Sequence, residues 1–84
     1  MAFVYILKSD SIGRYYIGCT SNLQNRLKLH NSGRVRSTKA YQPWKVVHTE
    51  EADSLSLARK RELQIKKWKS RSMIEDLIRK TSDL

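Results

Sequence analysis

Five side chains of this chain could serve one chemistry: Tyr5, Tyr16, Arg26, His30 and Glu62. Hydrolysis of a phosphodiester needs an activated water, a proton acceptor, positive charge on the phosphoryl oxygens and help for the leaving group. Arginine suits the phosphate because its planar fork matches two oxygens. One carboxylate, Glu62, would suffice for Mg²⁺ (or Mn²⁺), since water and substrate phosphate fill the remaining positions. A histidine or a tyrosine could take the proton. Free tyrosine ionises near pH ~10, so a tyrosine base would need a neighbouring cation, whereas His30 would need less help.

These groups must be positioned by short elements. "AFVYIL" (2 to 7) is apolar, β-branched and aromatic and reads as a strand. "KSDSIGR" supplies a turn, and "YYIGCT" (15 to 20) reads as a second strand, so the two are expected to form an antiparallel hairpin. "SNLQ" offers Ser21 as N-cap with Gln24 three residues on, a capping-box pattern, ahead of a helix from about Asn22 to His30. Gly18 is expected to let the chain turn sharply from strand to helix. Gly33 ends that helix, and residues 31 to 43 form a loop closed by Pro43. "WKVVHTEE" (44 to 51) reads as a third strand. A long helix follows, with Asp53 and Ser54 as capping candidates, and "RSMIEDLIRK" gives a short last one. The order is β-β-α-β-α-α.

On the first helix, Leu23 and Leu27 mark the buried direction. His30 falls between them, and Arg26 lies just to one side, four residues away and therefore its neighbour. Asn25 and Lys28 point to solvent. Taken alone, His30 reads first as a core histidine with a hydrogen-bond partner, and Arg26 reads equally as a rim residue covering apolar surface with its stem. The apolar arc of the long helix holds Leu55, Leu57, Ala58, Ile65 and Trp68, with Glu62 inside it; Arg59, Lys60, Lys66 and Lys67 form the outer face. An inward carboxylate in so small a protein is costly unless it is paired or binds a metal. The structural alternative is a Glu62–Arg26 or Glu62–Lys ion pair. Tyr5 and Tyr16 sit on adjacent strands, either as core residues or as phenols aimed at the same spot as Arg26 and Glu62.

The bulk numbers favour a polyanionic partner. In 84 residues there are 17 Lys and Arg against 8 Asp and Glu, a formal charge of +9, which points first to nucleic acid. The length suits one domain, 1 to 84, with a thin core. Cys19 is the single cysteine, so neither a disulfide within the chain nor a cysteine zinc site can form. The short apolar run at the N-terminus lacks the basic segment of a signal peptide, and no stretch has the length of a membrane span. A reduced, cytoplasmic location with no membrane contact is the expectation.

The residues so far carry a resemblance. "VYIL" (4 to 7), "YIG" (16 to 18), Arg26 and His30 in "NLQNRLKLHNSG", and Glu62 in "ARKRELQIKKWK" together resemble the GIY-YIG endonuclease superfamily. The likeness is to its small single-domain bacterial members and to the N-terminal nuclease domain of the excision-repair nuclease. It spans residues 2 to about 69. It implies an α+β fold, a small three-stranded antiparallel sheet flanked by helices, and hydrolysis of DNA phosphodiesters with a single divalent metal ion. Tyr5 matches the tyrosine of the first half-motif, a proposed general base in some members, and Tyr16 matches that of the second, which places water or phosphate. Arg26 matches the arginine that stabilises the phosphate in the transition state. His30 matches a position that is histidine or tyrosine, and Glu62 matches the sole metal-binding carboxylate.

The chain departs from the pattern in three places. The first half-motif, Phe3-Val4-Tyr5, lacks its glycine. Cys19 stands where repair members often carry a lysine, so that phosphate contact is either missing or supplied by Lys8, Arg14 or Lys39. The asparagine that some members carry after the metal glutamate has no counterpart. These 84 residues contain no stretch that reads as a recognition domain, so the expected activity is a structure-selective or weakly sequence-specific DNA endonuclease of repair or recombination, with room for a partner protein that supplies specificity. The alternative is a non-catalytic nucleic-acid-binding module that keeps the fold and the basic face. The expected DNA surface comprises Arg34, Arg36, Lys39, Arg59, Lys66 and Lys67. Trp44 and Tyr41 could stack on exposed bases, though aromatics at a strand start are more often core.

Overall fold

The computed structural model describes residues 1–82. Three strands, β1 (Ala2–Ser9), β2 (Tyr15–Thr20) and β3 (Trp44–Ala52), alternate with three helices, α1 (Leu23–Asn31), α2 (Leu55–Lys67) and α3 (Arg71–Ser82), and a single 3₁₀ turn spans Lys39–Tyr41. The order β-β-α-β-α-α and the three-stranded antiparallel sheet agree with the sequence reading. The sheet runs β2-β1-β3, so β1, the most apolar strand, is central and β2 is an edge. Among the described residues, no helix is long and apolar enough to cross a membrane.

Strand alternation sorts the side chains into two small cores. Ala2, Val4, Ile6 and Ile17 face α2 and α3, where they pack on Ala58, Ile65, Ile74 and Leu77. Tyr5 and Leu7 point the other way and pack with Trp44, Tyr16, Leu23 and Leu27 beneath α1. A bulge lies opposite Ile6/Leu7, where the β3 register steps from His48 to Val46. The extra residue changes the face of β3. Trp44 and Val46 therefore join the α1 core, while Val47 and Ala52 join the α2–α3 core. On that second face Glu50 accepts from Arg61 Nε at 2.9 Å and from His48 Nε2 at 2.8 Å, tying β3 to α2.

Three local readings are corrected. The α1 N-cap is Asn22, not Ser21: its side chain accepts from Asn25 N at 3.1 Å, and Thr20 Oγ1 accepts from Asn22 N. Thr20 takes up the donor one residue too early for a Ser21 cap. Gly33 does follow the helix, in the left-handed region at φ 77°. Gly18 makes no turn; it lies mid-strand in β2, opposite Tyr5. On α2, Ser54 caps by accepting from Leu57 N, as expected. The buried stripe, however, is Ala58, Glu62 and Ile65, while Leu55 and Leu57 are exposed, because the first turn of the helix precedes the stretch that covers the sheet.

Candidate active site

Tyr5, at 1% exposure, fills the space over Gly18. A Cβ on Gly18 would stand 2.5 Å from Tyr5 Oη and 2.6 Å from Cζ. The glycine of "YIG" is therefore the floor on which the first tyrosine rests. From there Tyr5 Oη meets His30 Nε2 at 3.0 Å, and His30 Nδ1 meets Thr38 Oγ1 at 2.8 Å. The Thr38 hydroxyl donates to Val35 O, so the network assigns the donated proton to His30 Nδ1 and leaves Nε2 to accept from Tyr5. His30 is fully buried. Burial first, and the Arg26 charge second, lower its pKa to about 4, which keeps the imidazole neutral near pH ~7.

The 31 to 43 loop is held down to make this network. Asn31 clamps the start of β3, accepting from Trp44 N at 2.6 Å and donating to Trp44 O at 3.0 Å. Trp44 Nε1 donates to Thr38 O at 2.9 Å. Thr38 and Asn31 went unread in the sequence because the loop has no period; a polar residue in "RSTK" within chain reach of His30 was the one available signal. Trp44 is thus core and cannot stack on bases. Tyr41 is half-buried with Arg14 over its ring at 4.9 Å.

Tyr16 is half-buried, its ring 4.8 Å from His30 and 6.3 Å from Tyr5. The Arg26 guanidinium lies beside both phenols, and its pKa is raised, first by hydrogen bonding to Tyr5. Among the described residues, Arg26 Nε is buried and has no hydrogen-bond partner. A buried donor without an acceptor is costly, and an anion drawn into this corner would supply one. For Tyr5, burial pushes the phenol up and outweighs the Arg26 interactions that favour its ionised form, so the free protein keeps it protonated.

Glu62 belongs to the other face of the sheet. It is 7% exposed and accepts from Lys66 Nζ at 2.5 Å, one helical turn on. This is the Glu–Lys pair weighed in the sequence, and Lys66 itself stays exposed. Burial raises the Glu62 pKa, but hydrogen bonds from Cys19 and Lys66 and the nearby Arg59 charge outweigh it and hold the carboxyl below its ordinary range. Burial and the carboxylate push the Cys19 thiol up. The two faces meet over the β2 edge at Gly18 and Cys19: Tyr5 reaches that edge from one side, Glu62 from the other, and the Glu62 charge acts on Tyr5. Arg34, Arg36, Lys39, Arg59 and Lys67 are exposed, the first three after α1 and the others on α2. Lys8 lies over the Tyr15 ring and Arg14 over the Tyr41 ring.

The donor set bears on a metal ion. Among the described residues, no group of three His, Cys, Asp or Glu could hold one. Glu62 is a single carboxylate at the edge, a donor that would suit a hard cation keeping most of its waters rather than a caged or zinc-type site.

Comparisons with known proteins give the family. The profile described as the GIY-YIG catalytic domain matches residues 1–75. The chain belongs to the GIY-YIG family. Its relatives include a UPF0213 protein of Syntrophus aciditrophicus, 50% identical over 77% of this chain and 76% of that one. A UPF0213 protein of Halobacterium salinarum is 40% identical over 79% of this chain and 86% of its own. The solution NMR structure of a UPF0213 protein from Bacillus halodurans superposes with a TM-score of 0.57 at 32% identity, covering 93% of this chain and 83% of that one.

Proposed function

We propose that the protein is a divalent-metal-dependent DNA endonuclease, structure-selective or weakly sequence-specific, serving repair or recombination in the cytoplasm. The observation that carries this reading is the buried, partnerless Arg26 Nε beside two phenols, set across one strand edge from a buried carboxylate. A binding module has use for Arg26 but none for Glu62, which repels a polyanion.

In this reading the scissile phosphate lies on Arg26, which takes the charge that grows on the phosphoryl oxygens. Tyr16, the half-buried phenol, meets the water or the phosphate. Tyr5 and His30 act as one proton acceptor, the phenol passing its proton to Nε2 as it gains one from water. His30 is a poor acceptor in the free protein, and the Arg26 charge is one cause. A bound phosphate offsets that charge and makes the imidazole more basic when substrate is in place. Glu62 would hold Mg²⁺ or Mn²⁺, which would polarise the phosphate and stabilise the leaving oxygen. Lys66 must first leave the carboxylate.

A cleavage panel of single strand, duplex, flap and four-way branch tests the proposal, with Mg²⁺ or Mn²⁺ present. Wild type is expected to cut at least one member. Arg26→Ala and Glu62→Gln are each expected to lower the rate by roughly 100-fold or more, with EDTA abolishing it. If no member is cut while wild type and both variants bind the panel alike, the catalytic reading fails and Glu62 is an ion-pair partner only.

A further inference from the structure

A cavity of about 400 Å³ lies where the β2 edge meets the α2–α3 turn, next to the candidate site. Its apolar part comes from Ile17, Ile65 and Ile74, and Lys66 and Lys69 stand among its lining residues. Tyr15 and Arg71 complete one wall: the guanidinium lies 4.7 Å from the Tyr15 ring centre, donates to Gly13 O at 2.9 Å and pairs with Glu75, which also accepts from Tyr15 Oη at 3.2 Å. Tyr16 and Lys66 line the cavity and also belong to the candidate site, Tyr16 beside His30 and Lys66 on Glu62.

We infer that this cavity receives one unpaired nucleotide adjoining the scissile phosphate, so that the substrates are DNAs with a single-stranded extension or branch at the cut. The inference rests on the nuclease reading for the position of the cut. A nucleotide is a flat apolar body attached to an anion, and the cavity offers apolar surface, the Tyr15 ring and the Lys69 cation, beside Lys66 and Arg71, which also pair with Glu62 and Glu75. The volume is that of a small-molecule site. A base inside a duplex is stacked on both faces and paired at its edge, so only an unpaired one can enter. The shared Tyr16 and Lys66 place it beside the phosphate on Arg26.

Lys69 marks the turn as more than a connector. Its φ is 47°, in the left-handed region where glycine is usual. A lysine keeps a cation at the cavity there despite the backbone strain. Glycine at this position would relieve the strain and delete the charge together.

The test uses two duplexes of equal paired length, one blunt and one with a short single-stranded extension carrying 2-aminopurine at its first unpaired position. Binding is measured in EDTA, where cleavage is off. Wild type is expected to prefer the extended duplex by roughly tenfold, within the range of aromatic–base stacking, and to change the 2-aminopurine fluorescence. Lys69→Gly is expected to lose most of the preference and the fluorescence change, to keep blunt-duplex affinity within about twofold, and to melt no lower than wild type. Ile74→Glu is expected to lose the preference too. Equal affinity of wild type for both duplexes overturns the inference, as does full preference in a folded Lys69→Gly. Full competition by a free deoxynucleoside monophosphate, with no gain for the extended duplex, overturns it in favour of a mononucleotide site. Cleavage without preference leaves the nuclease reading and removes the cavity's role; preference without cleavage does the reverse.

Discussion

At the scale of single residues, two positions carry the candidate site without touching substrate. Gly18 is one. With a would-be Cβ 2.5 Å from Tyr5 Oη and 2.6 Å from Cζ, Gly18→Ala must push the ring off His30. Overpacking of this kind costs about 1–3 kcal/mol, and urea unfolding should show it. Adding Tyr5→Phe should not restore stability, because Cζ clashes as well as the hydroxyl; full recovery in the double variant would mean that only the hydroxyl is hindered. His30 is the other. Its folded pKa, about 4, lies below the ordinary value of 6.5, so the unfolded chain binds more protons between those limits. Stability should therefore be flat above pH ~6.5 and fall as the pH drops towards 4. The loss would be on the order of 3 kcal/mol. The carboxyls of Glu50 and Glu62 are held low and lose their contribution only at the acid end of this window. His30→Gln should flatten the slope between pH ~5 and ~6.5; urea midpoints that fall as steeply in that variant would assign the slope to another group.

At the scale of elements, α2 sets a competition. Glu62 and Lys66 are one turn apart, so the helix delivers the lysine to the carboxylate whether or not a cation is present. The lysine side chain is nearly half-exposed, which makes this a screened pair worth up to about 1 kcal/mol. Lys66→Met should therefore tighten Mn²⁺ binding without DNA by roughly threefold, read by electron paramagnetic resonance, and Glu62→Gln should abolish that gain. Unchanged affinity in Lys66→Met would show that the lysine does not compete for the carboxylate. The sequence reading weighed a Glu62–Lys pair without naming the lysine, because a helical wheel puts Lys66 outside and Glu62 inside and ignores the reach of a lysine stem. What the wheel and the strand pattern did reveal is substantial: all three strands, the order of elements, the Ser54 cap, and the inward turn of His30 and Glu62. Those follow from periodicity, which side chains of one strand or helix impose locally. The misread features are those set by distant partners. Gly18 is explained only by a tyrosine on the neighbouring strand, and Thr38 only by a histidine across an aperiodic loop. The β3 bulge arises from pairing with β1 and leaves no mark in "WKVVHTEE".

At the scale of the whole molecule, size and charge would decide how DNA, the proposed substrate, is read. The principal extents are 29, 27 and 25 Å, so the protein spans only about eight phosphates of one strand at roughly 3.4 Å each. That is too short a track for a long sequence and enough for a backbone and a junction. Affinity must then come from charge, and +9 supplies it. The exposed cations come from opposite faces of the sheet: Arg34, Arg36 and Lys39 in the loop after α1, Arg59 and Lys67 on α2. DNA laid across the β2 edge, where the two faces meet, would touch both sets. Each phosphate neutralised adds about 0.9 to the slope of log K against log salt. Reversal of the three loop charges to glutamate should therefore lower the slope by about three. Reversal of Arg59 and Lys67 should lower it by about two, and the two losses should add. A slope that only one set can change would place the duplex on one face, away from the edge where Tyr5 and Glu62 converge. An affinity indifferent to salt would leave the basic surface a matter of solubility and remove DNA as the partner.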